Sequence, residues 1–153
     1  MKKSLIIFIL FSVSTSSLFS QNKNIKGRVI TEFLEPMPGV AITINDIVKV
    51  GETDLNGFFQ INIPVSVKKI LFQGVGLEPA VIDLGDKCDE AEVVIMPSFT
   101  YDFITLKKVD RLRMKRFKKL QEVHKEAFEK GIFKTDIACY TQEFRPYYKK
   151  QKK

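Results

Sequence analysis

Between residues 25 and 96 the apolar positions recur in short runs with a period of two. Seven such β-rich runs stand out, at 25–30, 40–44, 48–53, 58–63, 69–72, 80–84 and 92–96. Phe59, Ile61 and Ile63 share one face while Gln60 and Asn62 take the other, which suits a sheet with one dry and one wet side. Val40, Ile42 and Ile44 alternate in the same way with Ala41 and Thr43. Turn chemistry separates the runs. In Pro36-Met37-Pro38-Gly39 both prolines lack an N–H and Gly39 accepts positive φ. Asp54-Leu55-Asn56-Gly57 is a turn whose Asn and Gly tolerate left-handed backbone. Pro64 ends the fourth run by removing a ladder donor. Seven short strands at this spacing predict an all-β sandwich or barrel.

Past Pro97-Ser98 the period lengthens to about 3.6 and predicts one helix over 102–130. Thr100 or Asp102 would cap its start and Gly131 its end. Leu106, Val109, Leu112, Phe117, Leu120, Val123 and Ala127 form an apolar stripe, extended by Phe103 and Phe128. Opposite it lie Lys107, Lys108, Arg111, Lys115, Lys118, Lys119 and Lys125. Arg113 and Arg116 interrupt the stripe. The stretch 132–144 reads as either a short helix or an extended segment. PYYKKQKK, at 146–153, reads as a frayed basic end.

Charge sharpens this division. The 153 residues have room for one domain plus an appendage. The formal charge of +7 conceals an acidic body and a basic tail. Residues 21–99 carry 7 Lys/Arg against 11 Asp/Glu, net −4, and residues 100–153 carry 16 against 7, net +9. Residues 1–20 read as a signal peptide, with Lys2-Lys3 ahead of an apolar run over 5–13 and Ser20 before the cut. The expected organisation is a leader at 1–20, a β-sandwich at 21–98 and a basic helical region at 99–153. Export places the mature protein in the periplasm, on the outer membrane or outside the cell. No Cys stands near the cut, which disfavours a lipid anchor. In that oxidising space Cys88 and Cys139 either pair, stapling tail to sandwich, or remain two separate thiols; spacing alone does not decide.

Candidate chemistry changes the picture little. The single histidine, His124, falls mid-helix at the edge of the apolar stripe, where a half-buried or exposed structural role is expected, and no nucleophile pairs with it. Asp86, Asp89 and Glu90 lie in an acidic loop with no apolar pocket to split their pKa values. Two distant cysteines and one histidine do not make a metal ligand set, so neither metal nor cofactor is expected. Asp54-Leu55-Asn56-Gly57 resembles a fragment of a calcium loop but is better explained as a hairpin turn. Gly74-Val75-Gly76 is too short to cradle phosphate. The lysines at 107, 108, 115, 118 and 119, with Arg111, are either simply solvated or meet an anionic surface. Nucleic acid is set aside because of the export signal and the lack of any recognised motif.

Several of these residues also resemble a known family in order and spacing. Gly27 with Val29, Pro38-Gly39-Val40, Thr53-Asp54, Gly57-Phe58-Phe59 and Ile70-Leu71-Phe72 before Gly74-Val75-Gly76 resemble the carboxypeptidase regulatory-like domain. The likeness spans residues 24–97. It implies a seven-stranded transthyretin-like, Ig-like β-sandwich, here followed by a long amphipathic helix, and a non-catalytic role in the cell envelope. The zinc-binding motifs of the peptidases have no counterpart in this chain. In Bacteroidota such domains precede the plug and barrel of TonB-dependent outer-membrane receptors, and this sequence departs from that arrangement by lacking room for a barrel. The expected function is therefore a binding module for an envelope protein or glycan, as an accessory to TonB-dependent uptake. The alternative is a membrane-surface accessory that uses its basic amphipathic helix.

Overall fold

The computed structural model describes residues 21–148; the expected leader at 1–20 and residues 149–153 of the basic end lie outside the described residues. Eight strands form two sheets: β1 (Asn22–Thr31), β2 (Ala41–Ile44), β3 (Val48–Glu52), β4 (Phe58–Pro64), β5 (Lys69–Gln73), β6 (Ala80–Leu84), β7 (Glu90–Ile95) and β8 (Tyr140–Glu143). The three-stranded sheet runs β4-β1-β7 and the five-stranded sheet β3-β2-β5-β6-β8. The seven expected strands are all present, with ends displaced by a residue or a few.

The alternation read from the sequence is what builds the core. Ile25, Val29, Phe59, Ile61 and Val93 of the smaller sheet face Ile42, Ile70, Phe72 and Ile82 of the larger one. Phe59 and Phe72 meet edge to face across the layer, with centroids 5.4 Å apart. β1 pairs antiparallel with β4 and parallel with β7. Gly27 permits that parallel contact, since a Cβ there would lie 1.8 Å from the Ala91 carbonyl oxygen. Between β2 and β3, Asn45 and Asp46 both take positive φ, which their short polar side chains tolerate. In the next turn the Asp54 carboxylate accepts the backbone N–H groups of Asn56 and Phe58, so its oxygens serve the hairpin. Thr53 is a second clip, donating its hydroxyl to the Met37 carbonyl while accepting from the Val40 N–H.

The C-terminal region departs from expectation in three respects and, in one more, decides between two readings left open. First, a positive φ at Phe103 rules out a helix from 102, and Thr105 provides the cap, its side chain accepting from the Lys108 N–H. Second, the helix is bent, as α1 (Leu106–Phe117) and α2 (Leu120–Glu129). At the bend the Lys119 N–H reaches the Arg116 carbonyl, a tightened turn of the 3₁₀ kind. Third, of the two readings left open beyond Gly131 (φ 70°), the extended one is present: β8 pairs antiparallel with β6, Val81 opposite Glu143 and Leu84 opposite Tyr140. Fourth, the start of the basic end is not frayed, because the N–H groups of Tyr147 and Tyr148 both bond the Asp110 carboxylate.

A second, smaller core explains why β7 reads as a continuous apolar run. Ala91, Val93 and Ile95 face the sandwich, while Val94 and Met96 turn outward with Ile30 and receive Leu120, Ala127 and Phe133. A strand covered on both faces has no wet side to encode.

Candidate functional site

The bent helix has one bound face and one free face. On the bound face the two arginines that interrupt the apolar stripe are its anchors. Arg113 Nη2 lies 2.7 Å from Glu78 Oε2, and both side chains are 3% exposed. Its Nη1 bonds Asp110 and the Arg145 carbonyl, and its guanidinium stacks 3.6 Å from the Tyr147 ring centroid. The Tyr147 hydroxyl donates to the same Glu78 oxygen at 2.8 Å. Burial opposes the Arg113 charge, but Glu78 and Asp110 outweigh it and hold the guanidinium above its ordinary value. Burial also works against the Asp110 carboxylate; the two tyrosine N–H groups and Arg113 override it and keep that carboxyl below its usual range.

Arg116 repeats the device one turn on. Its Nε donates to Glu32 Oε1 at 2.9 Å, Nη2 to the same carboxylate and to the Pro97 carbonyl, and the group sits 4.1 Å above the Phe99 ring. Sequence reading placed these arginines as flaws in an apolar stripe. They close ion pairs with residues 35 and 84 positions away, which no local pattern reveals.

On the free face stand Lys107, Lys108, Arg111, Lys115, Lys118 and Lys119, all exposed. At about 100° per residue the four in α1 fall within roughly a third of the helix circumference, and Lys118 and Lys119 follow at the bend. Among the described residues none of the six takes part in an ion pair. Lys125, assigned to the same face, approaches Glu129 at 4.0 Å. The single acid of α1, Asp110, is already bound on the other side. The free face of α1 is therefore purely cationic.

Cys88 and Cys139 are joined by a disulfide, with Cα atoms 5.3 Å apart, tying the loop before β7 to the start of β8. The Tyr140 hydroxyl then donates to the Glu92 carbonyl at 2.8 Å, bridging the open edges of the two sheets. Desolvation pushes its phenol up, so it stays a donor. Glu92 is itself buried and accepts from the Lys134 and Thr135 N–H groups and the Thr135 hydroxyl.

His124 is not half-exposed, as its place in the sequence suggested, but 3% exposed. The bend of the helix turns it under Phe133 and against the Thr135 carbonyl, 3.1 Å from Nε2. A carbonyl only accepts, so Nε2 carries the proton and Nδ1 is left as a buried acceptor without a partner. Burial pulls the imidazole below its ordinary pKa, against the opposing charge of Glu92. Among the described residues no group of three or more His, Cys, Asp or Glu side chains is placed to hold a metal.

Beside His124, between the elbow of the helix and the edges of β7 and β8, lies a cavity of about 490 Å³. Val94, Met114, Phe117, Leu120 and Ala138 supply apolar wall; Lys118, Gln121 and Gln142 supply polar groups. Sequence reading missed it, because it is lined by three segments far apart in the chain.

No protein-family model matches this chain, and no curated protein matches it. A β-rich two-sheet domain with a disulfide is consistent with an extracytoplasmic location. None of the described helices is long and apolar enough to cross a membrane.

Proposed function

We propose that this protein is a non-catalytic interaction module of the bacterial envelope that docks an acidic protein or glycan on the free face of α1. One observation carries the reading: six exposed cations on one side of a helix, none neutralised within the chain, while the other side is held to the sheets by buried ion pairs. A rigid array of this kind contributes steering and specificity more than raw affinity, and its binding falls with salt. A resemblance to the carboxypeptidase regulatory-like domains fits the two-sheet architecture and the clips at Thr53 and Asp54. An accessory role in TonB-dependent uptake rests on that resemblance alone.

The membrane-surface alternative needs an apolar helical face to sink among lipid headgroups. Val109, Arg113 and Leu120 of that face are buried, which favours the first reading and leaves only the ends of the stripe, at Phe103, Leu106 and Phe128, exposed.

The test keeps the whole chain, since removing residues 100–153 would delete β8 and half of the disulfide. Lys107, Arg111, Lys115 and Lys118 are changed to Glu, and binding to an acidic polysaccharide, to phosphatidylglycerol vesicles and to extracted envelope proteins is compared with wild type. Retention that weakens at least about tenfold in the variant and fades between about 0.05 and 0.5 M salt supports the reading. Equal retention of variant and wild type overturns it.

A further inference from the structure

We infer that the cavity at the helix elbow is a binding site for a single-chain monoanionic amphiphile of the fatty-acid type. It shares Lys118 with the cationic face of the helix but does not rest on the docking role proposed for that face.

Three features point to this chemistry. The volume, about 490 Å³, lies within the range of small-molecule sites, and most of the wall is apolar. No acid lines it. The one charged side chain is Lys118, exposed and without an ion-pair partner among the described residues, and Gln121 and Gln142 add amide donors. A chain with one negative head matches an apolar chamber with one cation. The third feature is His124, a nearly fully buried polar side chain in the lining whose Nδ1 accepts from nothing. A neutral acceptor repels an anion, so the head lies at the Lys118 end and the chain runs inward over Met114, Phe117 and Leu120.

The fold makes such a chamber where its parts fail to close. β7 and β8 are edge strands of different sheets. The bend at Lys118 and Lys119 lifts the helix across the gap between them, which the Tyr140 hydroxyl and the Cys88–Cys139 disulfide span beside the chamber.

The test is calorimetric titration of the mature, disulfide-bonded chain with dodecanoate below its micelle concentration, beside dodecanol. The expected result is saturable one-to-one binding of dodecanoate, with dodecanol about tenfold weaker or worse. Gln142→Glu adds an acid of the same shape to the lining and is expected to weaken dodecanoate about tenfold while leaving dodecanol unchanged. Ala138→Phe, which fills the chamber, is expected to abolish both. Lys107→Glu with Arg111→Glu leaves binding intact. The inference is overturned by the absence of saturable binding, by equal affinity for acid and alcohol, or by binding that survives Gln142→Glu and disappears on charge reversal at Lys107 and Arg111.

Discussion

Arg113 and Glu78 face one another at 2.7 Å, each side chain 3% exposed, across 35 residues of chain. Neither charge has another route to water, so the pair fixes where the basic helix sits. The contact commits one face of α1 to the sandwich and leaves the other to solvent.

Removing one partner of such a pair strands the other. Arg113→Met is expected to destabilise the fold by about 3–5 kcal/mol in urea denaturation, because Glu78 would remain buried and unneutralised. Replacing Glu78 by Leu in the same chain should recover part of that loss. A double variant as unstable as the two single losses added together would show that the pair is not coupled.

The disulfide closes a separation of 51 residues between a buried Cys88 and an exposed Cys139. In the chain-entropy account a loop of that length contributes about 4 kcal/mol. Reduction is expected to lower the urea midpoint accordingly, and hydrogen exchange should speed up at β8 before the central strands. Unchanged exchange at Tyr140–Glu143 after reduction would show that β8 is held by other contacts alone.

His124 gives the fold a pH dependence of known sign. Its folded pKa lies below the unfolded value of about 6.5. The unfolded chain therefore binds a proton first, and stability falls as pH drops from about 6.5 toward the lower folded value, then levels off with respect to this group. His124→Gln should flatten that decline. Asp110 acts at more acidic pH: its stabilisation is complete above the unfolded carboxylate value of about 3.9 and fades as pH falls through the lower folded one. Stability curves for wild type and His124→Gln that run parallel between pH 7 and 5 would refute the assignment.

Gly27 is held by close approach. A Cβ there would fall 1.8 Å from the Ala91 carbonyl oxygen and 2.9 Å from the Phe59 ring. Gly27→Ala is expected to cost at least about 3 kcal/mol, since β1 and β7 must separate to admit it. A loss below about 1 kcal/mol on denaturation would mean that the parallel pairing yields easily.

How much could be read in advance follows from how far each feature reaches along the chain. The seven strands, the turn at Asp54–Gly57 and the Gly131 stop were legible because period and turn chemistry act within a few residues. The cationic face of α1 was legible for the same reason: a helix wheel is local. What tertiary structure alone decided were the relations between distant segments. Tyr140–Glu143 has no strong strand pattern and is a strand because β6 offers an open edge. Arg113 and Arg116 look like interruptions of an apolar stripe until Glu78 and Glu32 meet them, and His124 becomes buried only when the helix bends beneath Phe133. Cys88 and Cys139 are partners because β8 returns to the loop before β7. Local physics wrote the elements, and long-range burial and charge pairing chose which of their faces would be left exposed.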